Sequence, residues 1–210
     1  MSRFLVSKYQ DLTEYTPGEQ PRDKKYIKLN TNESPYPPSK GVLEAVNASQ
    51  AALLRLYPDP TCLNLKEKLA GLYGLKRENI FVSNSSDDVL NHAFTAFASD
   101  EKTACFADIT YGFYKVFAKL HGTKTAVFPL KSDFSIDPHD YMGIKDSLIV
   151  IANPNAPTGM ALSPDAIREI CLKSPDCAVI VDEAYVDFGA ESCVGLIGEL
   201  DNLIVCRTYS

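Results

Sequence analysis

The sequence has no C-x-x-C pair, no strand followed by G-x-G-x-x-G and no G-x-S-x-G elbow. The last two absences exclude a dinucleotide-dependent dehydrogenase and a serine hydrolase of the common kinds. Its six cysteines (Cys62, Cys105, Cys171, Cys177, Cys193, Cys206) also lack the tight spacing of a disulfide framework, and several lie inside apolar runs. Reduced core thiols in a cytoplasmic protein are the expectation. Histidine is scarce: His92, His121 and His139 are scattered without metal-ligand spacing, so no metal site is expected. Positive charge is short too, with a net charge of −6 and no Lys/Arg cluster, which argues against nucleic acid as a partner. The N-terminus shows no apolar stretch of signal-peptide length, and no run approaches a membrane span.

What is present suffices for one large core, or one domain preceded by an arm: 210 residues, 45% of them hydrophobic. The chain is organised around the stretch from Ser147 to Phe188. Two apolar runs, Leu148 to Ala152 and Ala178 to Val181, show no alternation, as strands buried on both faces of a parallel sheet do. Between them Ser163-Pro164-Asp165 opens an amphipathic helix, with Ser163 as N-cap and Pro164 in the first helical position. Strand, helix, strand is a right-handed βαβ unit, in which ligands collect at the carboxyl ends of the strands. There the first strand runs into N-P-N-A-P-T-G (Asn153 to Gly159) and the second into D-E-A-Y (Asp182 to Tyr185). A lone aspartate at a buried strand end either bonds backbone amides or meets a fixed cation that keeps it ionised.

Residues 1–38 read as an arm, broken by Pro17, Pro21, Pro35, Pro37 and Pro38. Helices are expected from Ser39 to Leu54 and from Thr61 to Tyr73, the second closed by Gly74, with Leu56-Tyr57-Pro58-Asp59-Pro60 between them. A strand is expected at Ile80 to Ser83, followed by S-N-S-S-D-D-V-L and a helix from Asp87 to Phe97, whose N-terminus is an anion site by construction. Further strands are expected at Thr103 to Ala107, Thr125 to Pro129 and Asn202 to Cys206, with a helix over Tyr114 to His121 ended by Gly122.

Taken in order, N-P-N-x-P-T-G and V-D-E-A-Y resemble the fold-type I aminotransferases that use pyridoxal phosphate (PLP). The opening Y-T-P-G and L-N-T-N-E-S-P-Y, the Y-P-D-P segment, S-N-S-S-D-D, T-Y-G-F-Y and the final R-T-Y-S are similar to the histidinol-phosphate branch of that family. The resemblance implies an α/β fold: an aspartate aminotransferase-like large domain whose mostly parallel sheet is flanked by helices. Residues 39–210 would be an incomplete part of that domain. It implies that Asp182 pairs with the pyridine nitrogen of PLP, that Tyr185 donates to the phenolic oxygen, and that Tyr111 stacks on the ring. The amides of Ser86, Asp87 and Asp88 and the hydroxyls of Thr208 and Ser210 would hold the phosphate. Tyr57 would reach the neighbouring subunit's cofactor across a homodimer, and Tyr15, Asn32 and Glu33 would line the substrate side.

Four positions depart from the family pattern, the first being Ser34, which replaces the family's second asparagine in the L-N-T-N-E-S-P segment. Ser83 and Ser85 stand where glycines are usual, so a different turn or hydroxyl donation is expected there. Ala156 replaces an asparagine that bonds the phenolic oxygen; the adjacent Asn155 is the candidate substitute. The resemblance also puts the Schiff-base lysine immediately after Ser210, with a C-terminal small domain beyond, and the expectation is a sequence interrupted at a PLP-modified lysine. The implied activity is transamination between histidinol phosphate and imidazole-acetol phosphate, with glutamate and 2-oxoglutarate as amino donor and keto acceptor. Threonine-phosphate decarboxylase and aromatic aminotransferase share most of the motifs. A non-catalytic PLP-binding remnant is the reading from another class.

Overall fold

Five apolar runs form one parallel sheet: β1 (Thr103–Ala107), β2 (Lys124–Phe128), β3 (Ser147–Ala152), β4 (Ala178–Asp182) and β5 (Leu203–Cys206). Their order is β2-β1-β3-β4-β5. The helices are α1 (Lys40–Ala45), α2 (Ala48–Ala52), α3 (Leu63–Tyr73), α4 (Ser85–Phe97), α5 (Phe113–His121) and α6 (Pro164–Lys173). This computed structural model describes Tyr9, Asp23, Ile27 and residues 29–209. The chain divides into two compact units, Asp11–Cys62 and a larger one made of Met1–Gln10 with Leu63–Ser210. Helices α1 and α2 belong to the smaller unit.

In the larger unit each strand sends alternate side chains to opposite faces. Cys105, Ala107, Ile149, Ile151, Val179 and Val181 pack against Ile167, Ile170 and Cys171 of α6. Ala104, Phe106, Leu148, Val150, Ala152, Ile180 and Cys206 pack against Leu90, Ala93 and Phe94 of α4 and Tyr114, Phe117 and Ala118 of α5. With helices on both faces, every residue of β3 is buried, which is why it reads as an unbroken apolar run. The same parity puts Asp182, two residues after Ile180, on the α4/α5 face. From β1 the chain adds β2 on one side and then β3 on the other. The loops after β1 and β3 therefore diverge and open a crevice at the strands' carboxyl ends, the ligand position of such sheets.

Helix ends follow local chemistry. Ser163 Oγ accepts from Ala166 N at 3.3 Å at the start of α6. Gly122, at φ 72°, ends α5 by donating its N–H to Ala118 and Lys119 carbonyls. The helix expected from Ser39 to Leu54 is instead two short ones. Asn47 is extended, and its Oδ1 accepts from Ser49 N at 3.0 Å and Gln50 N at 3.3 Å, so it starts a new helix rather than continuing the first. The strand expected at Ile80 to Ser83 is not formed among the described residues. That segment and the edge strand β5 both contribute to the lining of a cavity of about 760 Å³, with Ile80, Phe81, Ala93, Phe97, Leu203 and Val205 among its walls. A strand needs a hydrogen-bonded neighbour, and among the described residues Ile80 to Ser83 pairs with no strand of the sheet. Among the described residues no helix is long and apolar enough to cross a membrane.

Candidate active site

β4 ends on Asp182, which lies in register with Ala152 of β3 and Cys206 of β5. Asp182 is only 5% exposed. Its Oδ2 accepts from the Tyr114 hydroxyl at 2.7 Å and its Oδ1 from Ala184 N at 3.2 Å. Burial pushes its carboxyl above the usual carboxylate range and the nearby Asp87 and Glu183 push the same way, while Tyr114 and the Ala184 amide oppose them. Among the described residues no cation forms an ion pair with it. A carboxylate so placed fits a protonated ring nitrogen.

The anion end is built at the start of α4. Ser85 sits at φ 75°, the left-handed conformation a glycine would adopt freely, and Ser83 Oγ donates to Asp88 Oδ2. Ser85 thus takes a glycine-like turn rather than a different one, and the Ser83 hydroxyl is engaged with Asp88. Asn84 N also donates to Asp88 Oδ2, at 3.3 Å, and the Ser83 hydroxyl with this amide holds the Asp88 carboxyl below its ordinary range. Folded back in this way, Asp88 leaves the first-turn N–H groups of Ser86, Asp87 and Asp88 at the positive end of the helix. Cys206 Sγ lies 4.0 Å from Ser86 O, which brings the end of β5 against this turn. Thr208 follows two residues later and is partly buried.

Tyr111 joins the two ends. Its hydroxyl donates to Asp87 Oδ1 at 3.0 Å, and its ring meets that of Tyr114 edge-on with centroids 5.6 Å apart. Phe113 stacks beside Tyr111 at 5.7 Å. Asp182, Tyr114, Tyr111 and Asp87 thus form one connected line from the end of β4 to the start of α4.

Asn155 is buried and stitches the two crevice loops together. Its Oδ1 accepts from Thr110 Oγ1 at 2.8 Å, and its Nδ2 donates to Ile109 O at 2.9 Å and Thr158 Oγ1 at 3.3 Å. Both amide hydrogens of Asn155 are engaged in this clamp. Tyr185 is partly buried and opens the turn Val186–Phe188.

Asn32, Glu33 and Tyr57 are exposed and belong to the smaller unit, where Thr31 Oγ1 donates to Glu33 Oε1 at 3.3 Å. Tyr15 and Ser210 lie outside the described residues. Sequence reasoning missed three groups. Tyr114 was passed over although it stands three residues after Tyr111, one helical turn on. Glu183 and Arg207, charges placed directly after strands β4 and β5, form an ion pair at 3.2 Å in which Glu183 is buried and Arg207 partly so.

Comparison with known proteins agrees with this architecture. The family model described as aminotransferase class I and II matches residues 24–210. A histidinol-phosphate aminotransferase of Marinomonas sp. (strain MWYL1) is 52% identical over all of this chain and 60% of its own length. One from Brachyspira hyodysenteriae is 49% identical over all of this chain and 59% of its own. Among solved structures, the histidinol-phosphate aminotransferase of Sinorhizobium meliloti in complex with pyridoxal-5'-phosphate superposes with a TM-score of 0.78 at 23% identity, covering 86% of this chain and 51% of that one. The chain therefore spans about 60% of the length of the curated relatives it matches.

Proposed function

The chain belongs to the class I and II aminotransferase family, and from that premise we propose that it is part of a PLP-dependent histidinol-phosphate aminotransferase of histidine biosynthesis. The full protein would exchange the amino group between histidinol phosphate and 2-oxoglutarate. The observation that carries the reading is Asp182, buried at a strand end with a phenol and an amide as donors and no cation among the described residues. PLP, when bound, supplies an electron sink for the charge that develops at the substrate's α-carbon. The chain's own residues prepare its seat. Asp182 would accept a hydrogen bond from the protonated ring nitrogen, Tyr111 would stack on the ring, and Tyr185 would donate to the phenolic oxygen. The amides of Ser86, Asp87 and Asp88 would hold the phosphate with the Thr208 hydroxyl, and with that of Ser210, which lies outside the described residues. Asn155 keeps the two crevice loops in place around it.

The test uses the full-length protein. Purified, it should carry a PLP absorbance that borohydride bleaches, and it should form glutamate from 2-oxoglutarate when given histidinol phosphate. A faster reaction with phenylalanine would replace the substrate assignment by the aromatic one. Release of carbon dioxide from threonine phosphate would replace it by the decarboxylase, and absence of bound PLP would overturn the reading altogether.

The same reading makes the protein a cytoplasmic homodimer with a composite site. Six free thiols, five of them buried, support a reducing compartment. Tyr57, fully exposed here, and the line Asn32 and Glu33 would meet substrate and cofactor at the subunit boundary, with Tyr15 beside them. Tyr57→Phe should weaken PLP retention and leave the dimer intact. Mixed with a variant lacking the Schiff-base lysine, it should recover about a quarter of wild-type activity, because half the dimers are hybrids with one complete site each. No recovery after verified subunit exchange would place Tyr57 in its own subunit's site.

A further inference from the structure

Tyr114 lies on α5 and is fully buried. Its ring packs against Phe106 at 6.0 Å and meets Tyr111 edge-on at 5.6 Å, contacts that a phenylalanine would make equally well. What phenylalanine lacks is the hydroxyl, whose bond goes to Asp182 Oδ2 at 2.7 Å, from a residue 68 positions away in the chain. A buried hydroxyl costs free energy unless it is hydrogen-bonded, and here the bond reaches the one carboxylate at the end of β4. The second protein donor, Ala184 N, holds the other oxygen at 3.2 Å. Each carboxylate oxygen accepts more than one hydrogen bond, so these two donors, one on each oxygen, fix the plane of the group without exhausting its acceptor capacity.

We propose that Tyr114 is a positioning residue, which acts through Asp182 by fixing the orientation of its carboxylate for the ring nitrogen of PLP; the inference rests on the PLP reading of this site. The surroundings leave this task to few groups. Asp87 from α4 and Glu183 after β4 both disfavour a charge on Asp182, and Cys206 of β5 is the thiol on the same face. Tyr114 and the Ala184 amide are the groups that favour it, and of these only Tyr114 is a side chain. The Tyr114 phenol is itself pushed well above its ordinary range by burial and by Asp182, so it stays protonated and donates throughout the working pH range. Through its edge contact with Tyr111, which is tethered to Asp87, the same residue links the ring-nitrogen end of the site to its stacking face.

The experiment compares full-length wild type with Tyr114→Phe, and with site-specific 3-fluorotyrosine at 114 as a better donor of nearly the same shape. Apparent PLP affinity is measured by absorbance titration across pH, beside thermal unfolding of the cofactor-free forms. Loss of a hydrogen bond to a charged group should weaken apparent affinity about tenfold in Tyr114→Phe. The acidic midpoint at which affinity is lost should rise by about half a pH unit or more, because Asp182 then takes its proton at higher pH. In the fluorotyrosine protein, which keeps the fold even where phenylalanine does not, the midpoint should move down. Midpoints that stay at the wild-type value in both variants would overturn the inference, even if affinity falls, since packing alone moves no titration. Wild-type protein that takes up no PLP would overturn the underlying reading instead.

Discussion

Asp182→Asn should stabilise the cofactor-free protein and remove most of its activity. The carboxyl is buried, its proton affinity is raised first of all by desolvation, and its only described donors are the Tyr114 hydroxyl and Ala184 N. A carboxyl whose folded pKa exceeds its unfolded one binds a proton in the native state where the unfolded chain has lost it. Its contribution therefore disfavours folding increasingly as pH rises from the unfolded value through the raised folded one. An amide carries no charge, so the variant should melt a few degrees higher near neutral pH and converge with wild type in acid. With PLP the sign reverses. A neutral amide cannot hold the ring nitrogen protonated, and truncating one partner of a water-excluded ion pair costs about 3–5 kcal/mol, or more than a hundredfold in rate if it acts in the transition state. Activity within tenfold of wild type would sink the assignment of Asp182. A lower melting temperature at neutral pH would show that its charge is already compensated.

The other large effect should come from Arg207, the residue just before Thr208. Its Nη1 meets Glu183 Oε2 at 3.2 Å and its Nη2 meets Asp187 Oδ1 at 2.8 Å, while its guanidinium sits 5.3 Å from the Tyr73 ring centre. The Glu183 side chain has no exposed surface, and it accepts further from Ser192 Oγ at 2.7 Å and Cys193 N at 2.6 Å. Arg207→Met should leave this carboxylate buried without its cation, at a cost of about 3–5 kcal/mol. For a chain of this size that is a fall in melting temperature of roughly 10 °C. Lysine should rescue little, because one ammonium cannot serve both carboxylates as the guanidinium fork does. Arg207→Met combined with Glu183→Gln should recover part of the loss, since the stranded charge is then gone. A melting temperature within about 2 °C of wild type in the single variant would show that Ser192 and Cys193 satisfy Glu183 unaided.

The sequence by itself determined the elements whose signals are local. Strands β1, β3, β4 and β5 were legible because burial on both faces demands uninterrupted apolar residues. The boundaries of α5 and α6 were legible because Gly122 and Ser163 act on their own helix ends. The position of Asp182 at the end of β4, and of Tyr111 in the loop after β1, was legible from the apolar runs that precede them. Only the tertiary structure decided the rest, for one physical reason: each case depends on a partner distant in the chain. Ile80 to Ser83 has strand-like composition, but a strand forms only against a neighbour, and among the described residues no strand of the sheet pairs with it. The clamp of Asn155 on Thr110 and Ile109 joins residues 45 and 46 positions apart in the chain. Tyr114 meets Asp182 because strand parity sends that aspartate to the α4/α5 face, across a separation of 68 positions that no local pattern records.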